Sequence, residues 1–423
     1  MIVKTILDNG IRVLIEDIPT FQSVAIGVWV NCGARVESEA SNGISHFLEH
    51  MLFKGTTSLS AYDIASQIEA TGGSINAFTG KECTSYYLRI PSYHFVTGLK
   101  VLADMLKNPA FLQVEIENEK GVVLSEISQL EDTPDEYIHD VFEEGFWKSH
   151  PLRLPVLGNR EAVQSFSRES LWDFFDSRYR ASDIVISIAG GINQREALAV
   201  VTELFGDVPR GSSQQTTPLD NAAFVPAPLR VLRTKNTQQV NMVLGVLTFG
   251  ANDPHRYALS LLNTVLGGAM SSHLFQEVRE RRGLAYAIGS FISSYSDTGL
   301  LGIYAGTSSE KLQEVVVCCL GECRRISAES FSEKVMTDAK EMLKGGFLLA
   351  MEGVEARMTR MAKNELIFGT QIDIEEVLAG IEAVRAEEVL ALAQTIFDTN
   401  QFSLAVLGDV RKSAFAKMAS LLD

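Results

Sequence analysis

Two stretches of this chain echo one another about 200 residues apart, and that duplication limits the fold more than any local pattern does. Gln239-Val240-Asn241-Met242-Val243-Leu244-Gly245-Val246 resembles Gln22 to Val28. Each stretch is followed by an apolar helix and then by paired strands. Each half also finishes alike: Ile184 to Gly191 before a helix from Arg195, and Phe402 to Gly408 before a helix from Ser413. A unit that mixes adjacent strands with runs of helix is α+β. The expected architecture is therefore two duplicated domains of about 200 residues, each a mostly antiparallel sheet packed with helices. The stretch 210–228 is polar and carries Pro218, Pro226 and Pro228 without helical or strand period, so it reads as an interdomain linker between domains 1–209 and 229–423.

Local patterns fill in the first domain. Lys4 to Leu7 and Ile11 to Glu16 form a hairpin turning at Asp8-Asn9-Gly10. From Ser23 to Val30, branched Val24, Ile26, Val28 and Val30 alternate with small Ala25 and Gly27, as in a buried strand. Ser60 and Asp63 make an acidic variant of the capping box for a helix over Ala61 to Ala70. Strands at Ser74 to Phe78 and Cys83 to Ile90 follow, then helices at Tyr93 to Lys107, Val114 to Asp132 and Pro134 to Trp147.

The chemistry concentrates in Ile44 to Gly55. Ile44, Phe47, Leu48, Met51 and Leu52 recur at helical spacing, and Gly55 sits where the helix would stop. At about 100° per residue, His46 and His50 lie roughly 40° apart, with Glu49 within about 60° of His46. This is HxxEH: two imidazoles one turn apart suit two corners of a zinc tetrahedron, and a glutamate beside them can act as general base. A catalytic zinc takes three protein ligands and keeps one position open. Glu119 and Glu126, seven residues apart, would lie within about 20° of each other on a helix and could both face the site, or could simply belong to a solvated acidic stripe. The second half offers Leu259, Leu261, Leu262, Asn263 and Leu266 where the first carries its histidines, so it holds no metal motif.

Composition narrows the function classes. A net charge of −16 argues against nucleic acid and anionic membranes as partners. No apolar run reaches the roughly 18 residues of a membrane span, and Met1-Ile2-Val3-Lys4 leads straight into the hairpin with no signal peptide. Five cysteines, with Cys318, Cys319 and Cys323 crowded together, do not make a disulfide framework and read as reduced thiols in a cytoplasmic setting. Gly73 and Gly80-Lys81 miss the P-loop spacing, which disposes of a nucleotide-binding reading.

HFLEHMLFKGT, GGSINAFTGKECTSYY, EKGVVLSEI and SSHLFQEVRERRGLAYAIGS together resemble the pitrilysin, or insulinase, family of zinc peptidases. The likeness is greatest to the short bacterial members related to the mitochondrial processing peptidase, and it covers nearly the whole chain. The resemblance implies that His46, His50 and Glu126 hold one Zn2+ per chain, that Glu49 is the base, and that Glu119 orients a ligating histidine. It also implies that Arg279 and Tyr286 bind substrate and the developing oxyanion. Their spacing of seven suggests one helical face, although Gly283 intervenes. Asn76 and Ala77 match an edge strand that takes peptide by strand addition, with Glu82 and Tyr86 as substrate-site neighbours. The implied activity is metalloendopeptidase cleavage of short or unfolded peptides inside a closed chamber. A homodimer, or a heterodimer with a related subunit, would complete that chamber. The alternative is a non-catalytic or weakly active partner subunit of a related heterodimeric peptidase.

Overall fold

The computed structural model describes residues 2–211, 228–398 and 401–422; most of the linker reading, 212–227, lies outside the described residues. The first sheet comprises β1 (Ile2–Ile6), β2 (Arg12–Asp17), β3 (Ser23–Val30), β4 (Ser74–Thr79), β5 (Thr84–Pro91) and β6 (Ile184–Gly190), in the order β1-β2-β6-β3-β5-β4. The second comprises β7 (Arg230–Thr234), β8 (Val240–Phe249), β9 (Ala285–Ser294), β10 (Thr298–Thr307) and β11 (Ser403–Gly408), in the order β7-β11-β8-β10-β9. Without the hairpin strand β1, the two orders superimpose strand for strand, β2-β6-β3-β5-β4 on β7-β11-β8-β10-β9. The sense of pairing repeats too: β2–β6 and β7–β11 are parallel, and all other pairs are antiparallel. The chain is thus α+β and internally duplicated. Most local expectations hold. The hairpin turns through Gly10 at φ +101°, the Ser60/Asp63 capping box is present, and the helix Pro134–Trp147 has its expected bounds. The helix expected from Tyr93 starts at Phe95, because Ser92–His94 form a 3-10 turn after Pro91.

The two compact units differ from contiguous halves of the sequence. One consists of Met1–Ser128, Leu154–Thr217 and Leu349–Gln371, the other of Gln129–Arg153, Pro218–Leu348 and Ile372–Asp423. Two helices have changed sides, and the alternation along the central strands explains why. In β3, Val24, Ile26, Val28 and Val30 point into the main core of their unit, shared with the HxxEH helix. Ala25 and Trp29 point to the opposite face, where Val354, Met358, Met361 and Ala362 of the helix Val354–Phe368 cover them. Gly27 lets that helix approach: a Cβ there would come within 2.4 Å of Met358 Sδ. Arg357–Glu16 and Lys4–Glu365 ion pairs, at 2.7 and 2.8 Å, flank the contact. The second unit repeats the device with the helix Pro134–Trp147. Ile138, Val141, Phe142, Phe146 and Trp147 cover Val243, Leu300, Ala405 and Leu407, and Gly245 makes room for Phe142. All five cysteines are unpaired, and Cys32, Cys318, Cys319 and Cys323 are buried. No helix of the described residues is long and apolar enough to cross a membrane.

Candidate metal centre

The helix Ile44–Leu52 buries Ile44, Phe47, Leu48, Met51 and Leu52 in the first unit's core, so its register leaves His46, Glu49 and His50 on the other side. Its N-terminus is fixed from a distance. Gly43 occupies the left-handed region at φ +95° and offers no capping side chain. Instead the Glu37 carboxylate accepts hydrogen bonds from the backbone N–H groups of Gly43 (2.6 Å) and Ser45 (2.9 Å) and from the Asn42 carboxamide (3.0 Å). A buried carboxylate facing the first N–H groups of a helix meets both their unsatisfied donors and the positive end of its dipole. Burial pushes the Glu37 carboxyl up, and those donors pull it down.

The helix Gln113–Glu131 supplies the facing carboxylates. Its buried stripe is Ile116, Glu119, Val123 and Ile127, so Glu119 stands at a position where an apolar residue would be expected. Two partners compensate. His50 Nδ1 lies 2.9 Å from Glu119 Oε2, and Lys54 Nζ lies 2.5 Å from Glu119 Oε1. Burial works against the Glu119 charge, but the hydrogen bonds from His50 and Lys54 outweigh it and lower the carboxyl's pKa. With Nδ1–H donated to Glu119, His50 presents Nε2 to the site, the arrangement in which an outer carboxylate fixes the tautomer of a ligating imidazole.

Glu126, two helical turns on, completes the cluster. Its Oε2 is 3.7 Å from His46 Nε2 and 3.6 Å from His50 Nε2, and the two imidazole centroids are 4.6 Å apart. These separations are too long for hydrogen bonds, and Glu126 Oε2 is buried without a partner among the described residues. The three atoms form the only group of metal-ligand type within 4.8 Å among the described residues. An ion about 2.0–2.2 Å from each would satisfy all three, the distances zinc takes to nitrogen and carboxylate oxygen. The donor set therefore fits zinc.

Burial, reinforced by repulsion from His50, drives the His46 pKa from 6.5 to about 4. For His50 burial pulls downward, but the Glu119 hydrogen bond and the surrounding carboxylates raise its pKa overall. A depressed folded-state pKa means that protons favour the unfolded chain, so the His46 contribution is intact above pH 6.5 and is lost as pH falls towards about 4. The urea midpoint of the metal-free protein is expected to fall over that window, and less steeply in His46→Asn; parallel profiles would refute the assignment.

Glu49 lies beside the cluster, its Oε2 accepting a 2.5 Å hydrogen bond from the Thr79 hydroxyl at the end of β4. Burial raises its pKa, while Thr79 and His50 act in the opposite direction. β4 is an edge strand, with Asn76 exposed and the Ala77 N–H donating to the Asn76 carboxamide at 2.8 Å.

The other sequence-selected residues fall differently. Tyr86 is fully buried, its hydroxyl 2.8 Å from that of Tyr179, so it is a core side chain. Glu82 pairs with Arg35 at 2.6 Å. In the second unit Arg279 and Tyr286 do not share a helical face: a π-helix, Phe275–Arg281, ends before Gly283 at φ +58°, and Tyr286 lies on β9. They meet nonetheless, because the Arg279 guanidinium stacks 5.2 Å from the Tyr286 ring and 4.8 Å from that of Phe275. Both line a cleft of about 480 Å³ that also includes Gln239 and Lys311, and Tyr286 is 75% exposed. Sequence reasoning missed Glu37, Lys54 and Thr79. Only Lys54, one turn beyond His50, left a local signal.

Two family models and several known proteins match this chain. The model described as insulinase (peptidase family M16) matches residues 12–160, and the one described as peptidase M16 inactive domain matches residues 165–343. An uncharacterized zinc protease of Bacillus subtilis is 39% identical over 407 residues, which are 96% of this chain and 98% of that one. One of Streptomyces coelicolor is 34% identical over 98% of this chain and 91% of its own. Among solved structures, a protease from Helicobacter pylori superimposes with a TM-score of 0.88 at 18% identity, covering 96% of this chain and 99% of that one. A peptidase M16 inactive domain from Pseudomonas fluorescens gives 0.89 at 18% identity, with 96% and 98% covered. At such identities these two speak for the fold alone.

Proposed function

Because the chain belongs to the insulinase family, peptidase M16, we propose that it is a zinc metalloendopeptidase whose His46, His50 and Glu126 hold one zinc and whose Glu49 is the general base. The observation that carries this reading is the orphaned, buried Glu126 Oε2 equidistant from two imidazole Nε2 atoms, beside a carboxylate that does not itself belong to the cluster. Zinc, when bound there, supplies Lewis-acid polarisation and lowers the pKa of water. Glu49 then takes a proton from the attacking water as the water oxygen bonds to the carbonyl carbon. The same carboxyl returns that proton to the amide nitrogen as the C–N bond breaks, giving a carboxylic acid and an amine, and the acid's proton then passes to the amine so that hydrolysis ends at a carboxylate and an ammonium. Glu119 keeps His50 in the tautomer that exposes Nε2, and Lys54 keeps Glu119 ionised.

Peptide would add to the β4 edge, exchanging the Asn76 carboxamide on Ala77 N–H for its own carbonyl. The exposed Tyr286 and stacked Arg279 offer an O–H and a guanidinium for substrate carbonyls, and oxyanion stabilisation is their proposed role. We assign the reaction to a closed chamber formed by a homodimer, which sedimentation can read. Stripping the protein with a chelator should abolish cleavage of a quenched-fluorescent unstructured peptide, and one equivalent of zinc per chain should restore it. Wild type that binds zinc at these residues yet cuts nothing would favour the partner-subunit reading. Failure to bind zinc would sink the assignment itself.

A further inference from the structure

The hydrogen bond between Thr79 and Glu49 links two parts of the molecule that the proposed reaction uses separately, the base and the strand edge. Glu49 Oε2 lies 2.5 Å from Thr79 Oγ1. A carboxylate only accepts, so Thr79 is the donor. Behind it Thr84, fully buried on β5, donates to the Cys32 carbonyl at 2.9 Å and packs with its Oγ1 3.5 Å from Thr79 Oγ1. No other hydrogen bond to the Glu49 carboxylate is made among the described residues, so one side chain sets how that carboxylate is turned about its last torsion. Such sp³–sp² torsions are broad, and without a partner the two oxygens would exchange freely.

Resting on the peptidase reading above, we propose that Thr79 is a positioning residue. Its hydroxyl occupies Glu49 Oε2, leaving Oε1 as the oxygen that takes the proton from water and returns it to the leaving nitrogen. The bond survives the transfer. When Oε1 carries the proton, Oε2 is still an acceptor and Thr79 is still its donor, so the carboxyl need not rotate between the two halves of the reaction. Thr79 is also the last residue of β4, the edge proposed to receive the peptide. Substrate docking and base orientation therefore share one strand, and a peptide that pairs poorly with β4 should be cut slowly as well as bound weakly.

The test compares wild type, Thr79→Val and Thr79→Ser. Valine keeps the shape and removes the donor; serine keeps the donor and removes a methyl group. Thr79→Val is expected to hold zinc like wild type, to keep KM, and to lose kcat by about 10²-fold, the scale of a misplaced reacting group. Thr79→Ser should recover most of that loss. Equal kcat in wild type and Thr79→Val overturns the proposal, as does an equal loss in both variants, since that would mark a packing effect. Crystal structures of the metal-free proteins provide a readout independent of turnover. Glu49 should be turned away or spread over several positions in Thr79→Val and fixed in Thr79→Ser. An unmoved Glu49 in Thr79→Val also overturns the proposal, whereas an inactive wild type with Glu49 held by Thr79 would count against the peptidase reading alone.

Discussion

Glu49→Gln is expected to retain zinc at the wild-type level while losing at least about 10²-fold in peptide hydrolysis, the contribution typical of a positioned general base. The dissociation of the two readouts follows from the geometry. The ligand-type atoms of His46, His50 and Glu126 are gathered within 4.8 Å without Glu49. A glutamine keeps the shape and can still accept from Thr79, but it has no lone pair basic enough to take the proton of water. Parallel assays of metal content and turnover separate the possibilities. Zinc lost together with activity would make Glu49 a ligand, and zinc retained with activity intact would remove it from the chemistry.

Glu37→Ala should unfold the metal-free protein at markedly lower denaturant than wild type, by about 3 kcal/mol. Glu37 is only 8% exposed, and its removal strands the Gly43 and Ser45 N–H groups, while the Asn42 carboxamide loses one acceptor and keeps the Pro155 carbonyl. A buried donor left unsatisfied costs about 1–3 kcal/mol. The sum is partly offset because a carboxylate no longer has to be desolvated. The pH dependence has a definite sign. Burial holds the folded-state pKa above the ordinary value, so the pH-dependent part of the Glu37 contribution is present below the unfolded pKa and is lost as pH rises through the folded one. The stability gap between wild type and Glu37→Gln should therefore narrow with rising pH. Urea titrations at acidic and neutral pH measure it, and a gap that widens would show that Glu37 is stabilised as a carboxylate.

How much of this was legible in the sequence depends on how far each interaction reaches along the chain. The HxxEH helix, the Glu119 and Glu126 pair and the Ser60/Asp63 cap follow from spacing within one helix, and the structure keeps each. The duplication was visible because the β3 and β8 segments repeat a pattern of branched and small residues. The meaning of the small residues was not, since Gly27 and Gly245 answer to Met358 and Phe142, helices that the linear order assigns to the other half. Glu37 caps a helix that starts seven residues later through a loop no periodicity describes. Tyr86 entered with the family motif it belongs to, whereas strand alternation turns it into the core. The spacing of Arg279 and Tyr286 suggests one helical face, with Gly283 between them as the contrary signal. Gly283 breaks that helix, and the pair meets across the break through the guanidinium and the ring.

The exchange of helices between the halves sets a schedule for synthesis. When the ribosome has made β6, the first sheet has all six strands but one bare face, because Val354–Phe368 lies some 160 residues ahead. At about 5–20 residues per second, Ala25 and Trp29 wait on the order of ten seconds or more for their cover. The nascent first unit is thus an open layer needing protection from aggregation, and a chain cut within 212–227 would yield two fragments, each carrying the other's missing helix.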